Sequence, residues 1–128
     1  MAHFLSEILL IEGSFALQIE RTGTLLASAV VIAGDSEARR QGLLGRDALP
    51  PGSGLVIAPS QGVHTFGMRF PLDIIGVTRD GTVVKCRSNV PPRRVVMAWS
   101  AFAIVELGAG ELARAGLSVG DRLVALTL

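Results

Sequence analysis

The feature that most constrains this chain is the pair Asp80-Gly81, which stands between two apolar-rich runs at 72–79 and 82–89. Asp-Gly between two strand-like runs is the strongest short-range signal for a β-hairpin, because both residues of a tight two-residue turn need a positive φ. The sequence therefore predicts an antiparallel hairpin over residues 72–89, with Asp80-Gly81 at its tip.

A two-residue turn also fixes which residues oppose each other. Opposed residues point to the same side of a hairpin. One side is then predicted to carry the pairs Val77–Val84, Ile75–Cys86 and Asp73–Ser88, and the other side Thr78–Val83, Gly76–Lys85 and Ile74–Arg87. In this register Cys86 is a core residue rather than a nucleophile.

Asp73 would then be a carboxylate on an apolar face, and a buried carboxylate must be hydrogen-bonded or paired. The structural interpretation is that Asp73 accepts backbone N–H groups or pairs with Arg46 or Arg69. The functional interpretation is a carboxylate at the edge of a cleft, for which His64 would be the acid–base partner.

The rest of the chain is predicted to form short strands and two short helices. Strands are expected at 14–20, 25–33, 55–58, 102–107 and 121–128, and residues 4–11 are either a strand or an apolar extension. Helices are expected at 36–44, behind an N-cap at Asp35, and at 109–115, before the terminating Gly116. This pattern favours a mainly β (α+β) fold, a compact antiparallel-rich barrel or a folded-over sheet.

Charge is unevenly distributed along the 128 residues, although the net charge is only +1. Residues 1–37 hold five acidic residues against one arginine, and residues 69–94 hold six basic residues against two aspartates. A net charge this small predicts no strong attraction to nucleic acid or acidic membranes, so specific nucleic-acid binding is not expected. The basic residues of 69–94 are either ordinary solvated strand residues or one basic face.

Several classes of site are disfavoured by the composition. One cysteine excludes an internal disulfide and a multi-cysteine zinc site, and the chain has only two histidines. We therefore expect no metal site, and the absence of a phosphate loop or a dinucleotide fingerprint predicts no cofactor. Glu7 and Glu12 interrupt the apolar N-terminal run, and no apolar run reaches the ~18 residues that span a bilayer, so a cytoplasmic protein is expected.

The most unusual stretch is H-T-F-G-M-R-F-P-L-D at 64–73. If residues 64–68 are extended, His64, Phe66 and Met68 line one face. Gly67 then opens the other face to close approach by a ligand or by another strand. Trp99 is expected in a loop, as an anchor in preference to a stacking surface.

Longer motifs resemble one known family. The runs R-R-Q-G-L-L-G-R-D-A-L-P-P-G-S-G, V-H-T-F-G-M-R-F-P-L-D-I-I-G-V, V-P-P-R-R and A-I-V-E-L-G-A-G-E-L-A-R-A-G-L-S-V-G-D resemble domain of unknown function 192 and occur in family order. The resemblance covers about 29–126, so we expect a single domain over 1–128, with N-terminal strands in 1–28 packing on that region. It implies a small bacterial or archaeal, mainly β protein with no settled activity, some of whose relatives look secreted.

The resemblance also suggests which residues form a functional site. The positions that match the family motifs and carry chemistry are Arg46, His64, Phe66, Met68, Asp73 and Glu106. The leading hypothesis is a non-catalytic module that binds a small ligand or a partner in a cleft lined by these residues. The alternatives are a hydrolase or transferase that uses His64 and Asp73, and a nucleic-acid-associated regulator that uses the basic 69–94 segment.

Overall fold

The computed structural model describes Phe4, Ile8 and residues 13–33 and 47–127. The strands are, in chain order, β1 Phe15–Ile19, β2 Leu25–Ala33, β3 Ser53–Ile57, β4 Gly62–His64, β5 Leu72–Val77, β6 Val83–Val90, β7 Val95–Met97, β8 Ala103–Gly108 and β9 Leu123–Leu126. Helix α1 spans Glu111–Ala115 and ends at Gly116, as the sequence predicts. The helix predicted at 36–44 and Arg46 lie outside the described residues.

Seven strands form one sheet in the order β6-β5-β8-β3-β2-β1-β9, antiparallel except where β2 runs parallel to β3. The two outermost strands meet at one end of the sheet. The Val83 N–H donates to the Asp121 carbonyl at 2.8 Å, and the Gly120 N–H donates to the Val83 carbonyl at 2.8 Å. The sheet therefore curls towards a barrel, which confirms the predicted mainly β, antiparallel-rich fold class.

Two apolar clusters cover the two sides of this sheet. The interior core lies on the concave side and draws on all seven strands, with members Phe15, Leu17, Ile19, Leu26, Val30, Val56, Ile75, Val77, Val83, Val105, Leu107 and Leu123. Phe4 and Ile8 belong to it and are helical, so the strand or extension expected at 4–11 is wrong at these positions. Their separation of four residues, which places both on one helix face, is the signal that was missed.

The outer core lies on the other side of the sheet. It joins the strand residues Leu55, Ile57, Leu72, Ile74 and Ile104 to Val63 and Val96. The last two belong to β4 and β7, which pair with each other in a separate two-stranded sheet, here called the ribbon. The outer core therefore packs the ribbon against the convex side of the curled sheet.

The hairpin is present, and its central pairs are as predicted: Ile75 opposes Cys86, Gly76 opposes Lys85 and Ile74 opposes Arg87. Its turn is one residue longer than predicted. The Thr78 N–H donates to the Thr82 carbonyl at 2.9 Å, and Gly81, at φ +90, donates its N–H to the Thr78 carbonyl at 3.0 Å. This is a three-residue loop with a glycine bulge.

The register differs from the predicted one at both ends of the hairpin. Val77 opposes Val83 instead of Val84, and Val84 packs against the outer core. A second irregularity between Leu72 and Ile74 removes the predicted pairing of Asp73 with Ser88. Cys86 still packs against the interior core, and burial raises the pKa of its thiol, which disfavours the reactive thiolate.

Asp121 stabilises the point where β6 and β9 meet. Arg21 donates to both of its carboxylate oxygens, from Nε to Oδ1 at 2.6 Å and from Nη2 to Oδ2 at 3.0 Å. The Ser118 N–H adds a hydrogen bond to Oδ2 at 2.9 Å. These contacts, that from Arg21 above all, hold the pKa of Asp121 below its usual range.

A pH dependence follows from this site. Because its pKa is lower in the folded chain, Asp121 contributes stability above its unfolded pKa of about 3.9, and that contribution is lost as the pH falls through the folded pKa. We expect Asp121→Asn to be less stable than the parent at pH 7 and the two free energies of unfolding to converge on acidification. Urea denaturation as a function of pH measures the two free energies of unfolding, with Glu20→Gln as an exposed control. A difference between Asp121→Asn and the parent that stays constant down to acid pH would contradict this pH dependence.

Candidate functional site

Asp73 lies fully buried in β5, on the side of the sheet that faces the interior core. Its Oδ1 accepts the Asn89 N–H at 2.8 Å, and its Oδ2 accepts the N–H groups of Gly110 at 3.1 Å and Leu112 at 2.9 Å. Gly110 is the N-cap of α1 and has no side chain to cap the helix itself. The carboxylate therefore caps α1 from a neighbouring strand and holds the β6 backbone at Asn89, where φ is +53.

This arrangement confirms the prediction that Asp73 is buried and partnered by an arginine or by backbone amides, and the partners are amides. Glu106 is also fully buried but projects to the other side of the sheet, because it opposes Ile74 in the β5–β8 register. Met68 is buried in the outer core. The predicted cleft residues thus divide between the two sides of the sheet.

His64 and Phe66 occupy the surface of the ribbon, and the extended conformation predicted for 64–68 is wrong. The chain turns after β4: the Met68 N–H donates to the Thr65 carbonyl at 3.2 Å, and Gly67 has φ +85. The glycine serves this turn. Phe66 projects from the turn with 51% of its surface exposed, and its ring centroid lies 5.9 Å from that of His64.

The ribbon has a buried and an exposed face. Val63 and Val96 oppose each other and point into the outer core, so the flanking pairs Gly62–Met97 and His64–Val95 point outwards. A groove of about 350 Å³ lies at the ribbon, where outward-facing residues meet two members of the outer core; it is lined by Ile57, Ser60, Gln61, Gly62, Val63, His64, Val95 and Met97. The Met97 side chain lies across Gly62, where a β-carbon would collide with its sulfur.

Thr65 joins the ribbon turn to the turn formed by Pro91–Arg94. Its N–H donates to the Arg94 carbonyl at 2.8 Å, and its hydroxyl donates to the Pro91 carbonyl at 2.7 Å and accepts the Arg94 N–H at 2.9 Å. Its carbonyl accepts the N–H of Arg93, which is held at φ +67. Sequence reasoning missed Thr65, because a lone threonine gives no signal for contacts almost thirty residues away.

We expect Thr65→Val to lower the free energy of unfolding by about 1–3 kcal/mol, because the isosteric valine leaves the Pro91 carbonyl and the Arg94 N–H without their partner. Thr65→Ser keeps the hydroxyl and is the matched control, with a smaller loss. Urea denaturation measures both variants. Equal stabilities of the valine and serine variants would show that the hydroxyl contacts contribute nothing.

Three large apolar side chains in or beside the lining of the groove remain more than half exposed. Val95, at 63%, lines it. Phe66, at 51%, contacts His64 of the lining, and Trp99, at 72%, accepts a hydrogen bond at its carbonyl from Gln61 of the lining. Trp99 is the second residue of a turn in which the Ala101 N–H donates to the Ala98 carbonyl at 2.9 Å. Trp99 thus lies in a loop, as expected, but its exposed side chain is not the anchor that was favoured. Clustered exposed apolar groups of this size mark interaction surfaces.

The same region is basic. The segments 57–72 and 81–105 contain no aspartate or glutamate and together carry Arg69, Lys85, Arg87, Arg93 and Arg94. Arg93 and Arg94 are exposed and stand on the turn that Thr65 holds beside Phe66. Arg79 is separate from this group, since it stacks on Phe102 with its guanidinium carbon 4.2 Å from the ring centroid.

Other features of the described residues are less distinctive. A second groove of about 380 Å³ lies beside α1, lined by residues 47–53, Phe70, Pro71, Gly108, Ala109 and Glu111.

Within 13–33 and 47–127, together with Phe4 and Ile8, no group of three or more His, Cys, Asp or Glu side chains is placed to hold a metal ion. The helices among these residues include none long and apolar enough to cross a membrane.

Comparison with known proteins places the chain in a family. The DUF192 family (domain of unknown function 192), described as "Uncharacterized ACR", matches residues 17–125, so the match begins twelve residues before the predicted start at 29. No curated protein sequence matches significantly. Two crystal structures share the fold.

The first is from Sinorhizobium meliloti 1021 and was provisionally named a transcription regulator. It is 25% identical with a TM-score of 0.74, over 90% of this chain and 97% of that one. The second is a protein of unknown function from Novosphingobium aromaticivorans DSM 12444. It is 23% identical with a TM-score of 0.71, over 86% of this chain and 82% of that one. With motifs in family order and a match from β1 to β9, the chain belongs to the DUF192 family.

Proposed function

We propose that this chain is a non-catalytic binding module and that it binds through the ribbon face, defined as His64, Phe66, Val95, Met97 and Trp99 with the groove between them. The observation that carries the proposal is the exposure of three large apolar side chains, Val95 in the lining of that groove and Phe66 and Trp99 beside it. Leaving three large apolar side chains in water is unfavourable by roughly 25 cal/mol for each Å² of apolar surface. A partner that covers them recovers this free energy.

The contacts of Asp73 support a non-catalytic role. A hydrolase or transferase built on His64 and Asp73 needs the carboxylate beside the imidazole and open to substrate. Asp73 instead accepts three backbone N–H groups on the interior side of the sheet, while His64 lies on the ribbon that packs against the opposite side. Proton exchange at Asp73 would also disrupt the cap of α1.

Trp99 is the only tryptophan in the chain, which makes it a reporter for binding. We expect the anionic, apolar dye 1-anilinonaphthalene-8-sulfonate to bind the folded protein and to quench Trp99 emission by energy transfer. Phe66→Ser is expected to weaken dye binding about tenfold, from the loss of roughly 1.5 kcal/mol of apolar burial. Val119→Ser is the matched control, because Val119 is 62% exposed and lies outside the ribbon face.

Two results would contradict the proposal. Dye binding without any change in Trp99 emission would place the apolar site elsewhere on the molecule. Equal affinities of the Phe66→Ser and Val119→Ser variants would show that exposure alone, and not the ribbon face, attracts the dye.

A nucleic-acid partner is the second candidate, favoured by the arginines near the ribbon face and by the provisional name of the Sinorhizobium meliloti protein. With a net charge of +1, we expect duplex DNA to bind weakly, with a dissociation constant on the order of 10⁻⁴–10⁻⁶ M, without sequence preference and with strong sensitivity to salt. Fluorescence anisotropy of labelled duplexes measures this. Nanomolar, sequence-selective binding at physiological salt would favour the regulator instead.

A further inference from the structure

We propose that the partner of the ribbon face is an anionic lipid surface, onto which the protein docks peripherally; this inference rests on the proposed function and names its ligand. Three features carry it: two aromatic side chains that project from turns, a set of cations with no carboxylate in the same segments, and side-chain hydrogen bonds that occupy the backbone of Gly62 and the Met97 carbonyl on the two ribbon edges.

The aromatic side chains project from the protein. Phe66 is the second residue of the turn at 65–68, and Trp99 is the second residue of the turn at 98–101. They follow the carboxyl ends of the antiparallel strands β4 and β7, so they stand at opposite ends of a ribbon about 10 Å long, with Val95 and His64 between them. Projecting tryptophan and phenylalanine suit the boundary between headgroups and acyl chains, where one part of the side chain is apolar and the surroundings are wet.

The charge of this region complements anionic headgroups. Five cations and no carboxylate occur in 57–72 and 81–105; Arg69 has Asp47 at 3.9 Å, while Arg93 and Arg94 stand on the turn that Thr65 holds beside Phe66. The net charge of +1, from which weak membrane attraction was expected, averages this local excess over the whole chain. Each cation near an anionic bilayer strengthens binding about fivefold.

The ribbon edges favour a surface over a peptide. A peptide that adds a strand needs free backbone N–H and C=O groups at the edge. On β4, the Ser60 hydroxyl donates to the Gly62 carbonyl at 2.7 Å and accepts the Gly62 N–H at 3.3 Å. On β7, the Lys85 ammonium group donates to the Met97 carbonyl. These side chains hinder strand addition at Gly62 and at the Met97 carbonyl, whereas a lipid surface requires no backbone partner.

The test uses the full chain and two kinds of vesicle, phosphatidylcholine alone and phosphatidylcholine mixed with phosphatidylglycerol. We expect co-sedimentation with the anionic vesicles only, a shift of Trp99 emission to shorter wavelength on binding, and loss of binding at high salt. Arg93→Gln together with Arg94→Gln should weaken partitioning about 25-fold, and Phe66→Ser about tenfold. Arg79→Gln and Val119→Ser are the matched controls, and thermal unfolding confirms that every variant is folded.

Each contrary result has a distinct meaning. Equal binding to neutral and anionic vesicles, or sedimentation without a change in Trp99 emission, would overturn the lipid proposal. Quenching of Trp99 by the dye without binding to vesicles would leave the proposed binding face in place and refute a lipid partner. A shift of Trp99 emission by an acidic, aromatic peptide but not by vesicles would make the partner a protein.

Discussion

Replacement of Asp73 by asparagine is expected to lower the free energy of unfolding by about 3–5 kcal/mol. An asparagine oxygen at the Oδ2 position keeps the Gly110 and Leu112 N–H groups, but its NH₂ group then faces the Asn89 N–H. Hydrogen bonds to a charged group contribute about 1.5–3 kcal/mol each, so one is lost outright and the other two are weakened by the loss of the charge. Because a small domain is stable by only about 5–15 kcal/mol, the variant is expected to unfold at much lower urea concentration.

Asp47→Asn is the control for this substitution. Asp47 is exposed over 94% of its side chain and contacts Arg69 only at 3.9 Å, so its loss should cost well under 1 kcal/mol. Amide hydrogen exchange adds a local readout, in which Gly110, Leu112 and Asn89 should lose protection in Asp73→Asn first. If Asp73→Asn were as stable as Asp47→Asn, Asp73 would have a functional role instead of the structural one described here.

The second large effect is expected at Gly76, in the middle of β5. A β-carbon there would lie 2.7 Å from the β-carbon of Ala98 and 3.3 Å from that of Ala101. These atoms are fixed to the backbone and cannot rotate away, so Gly76→Ala must displace the turn that carries Trp99. Overpacking of this kind costs about 1–3 kcal/mol. The displacement should also alter Trp99 emission in the folded variant.

Gly108→Ala is the matched control in the neighbouring strand. The nearest atom to a β-carbon at Gly108 is the β-carbon of Leu49 at 4.0 Å, and the residue does not have a positive φ. We therefore expect a change below about 1 kcal/mol. Urea denaturation and Trp99 emission distinguish the two variants. Equal stability and equal Trp99 emission of the two would mean that the 98–101 turn does not pack closely against Gly76.

Local sequence signals predicted the elements better than their contacts. The bounds predicted for β2 match the structure, and the hairpin was found from Asp80-Gly81. The glycine bulge was not predicted, because Asp-Gly suits a three-residue loop as well as a two-residue turn. In the three-residue loop Asp80 accepts a hydrogen bond from the Thr82 N–H at 3.2 Å. The three-residue loop therefore places Val84 in the outer core, on the opposite side of the sheet from the predicted one.

Long-range partners were less accessible from the sequence. The burial of Asp73 followed from the hairpin pattern, but its capping of α1 depends on a residue 39 positions later. The predicted cleft included His64 and Phe66, which belong to the ribbon face, but also Asp73 and Glu106, which are fully buried. The ribbon face instead consists mainly of apolar residues, and their exposure depends on how the ribbon packs, which no local pattern in the sequence reveals.

The most direct test of the ribbon face is a map of backbone amide chemical shifts during titration with 1-anilinonaphthalene-8-sulfonate. We predict that the shifts change for residues 60–68 and 93–101, which contain β4, β7 and both aromatic turns. The groove beside α1 should remain unaffected, including residues 47–53 and 108–111. Changes confined to that second groove, or spread evenly over the sheet, would contradict the assignment of the ribbon face as the binding surface.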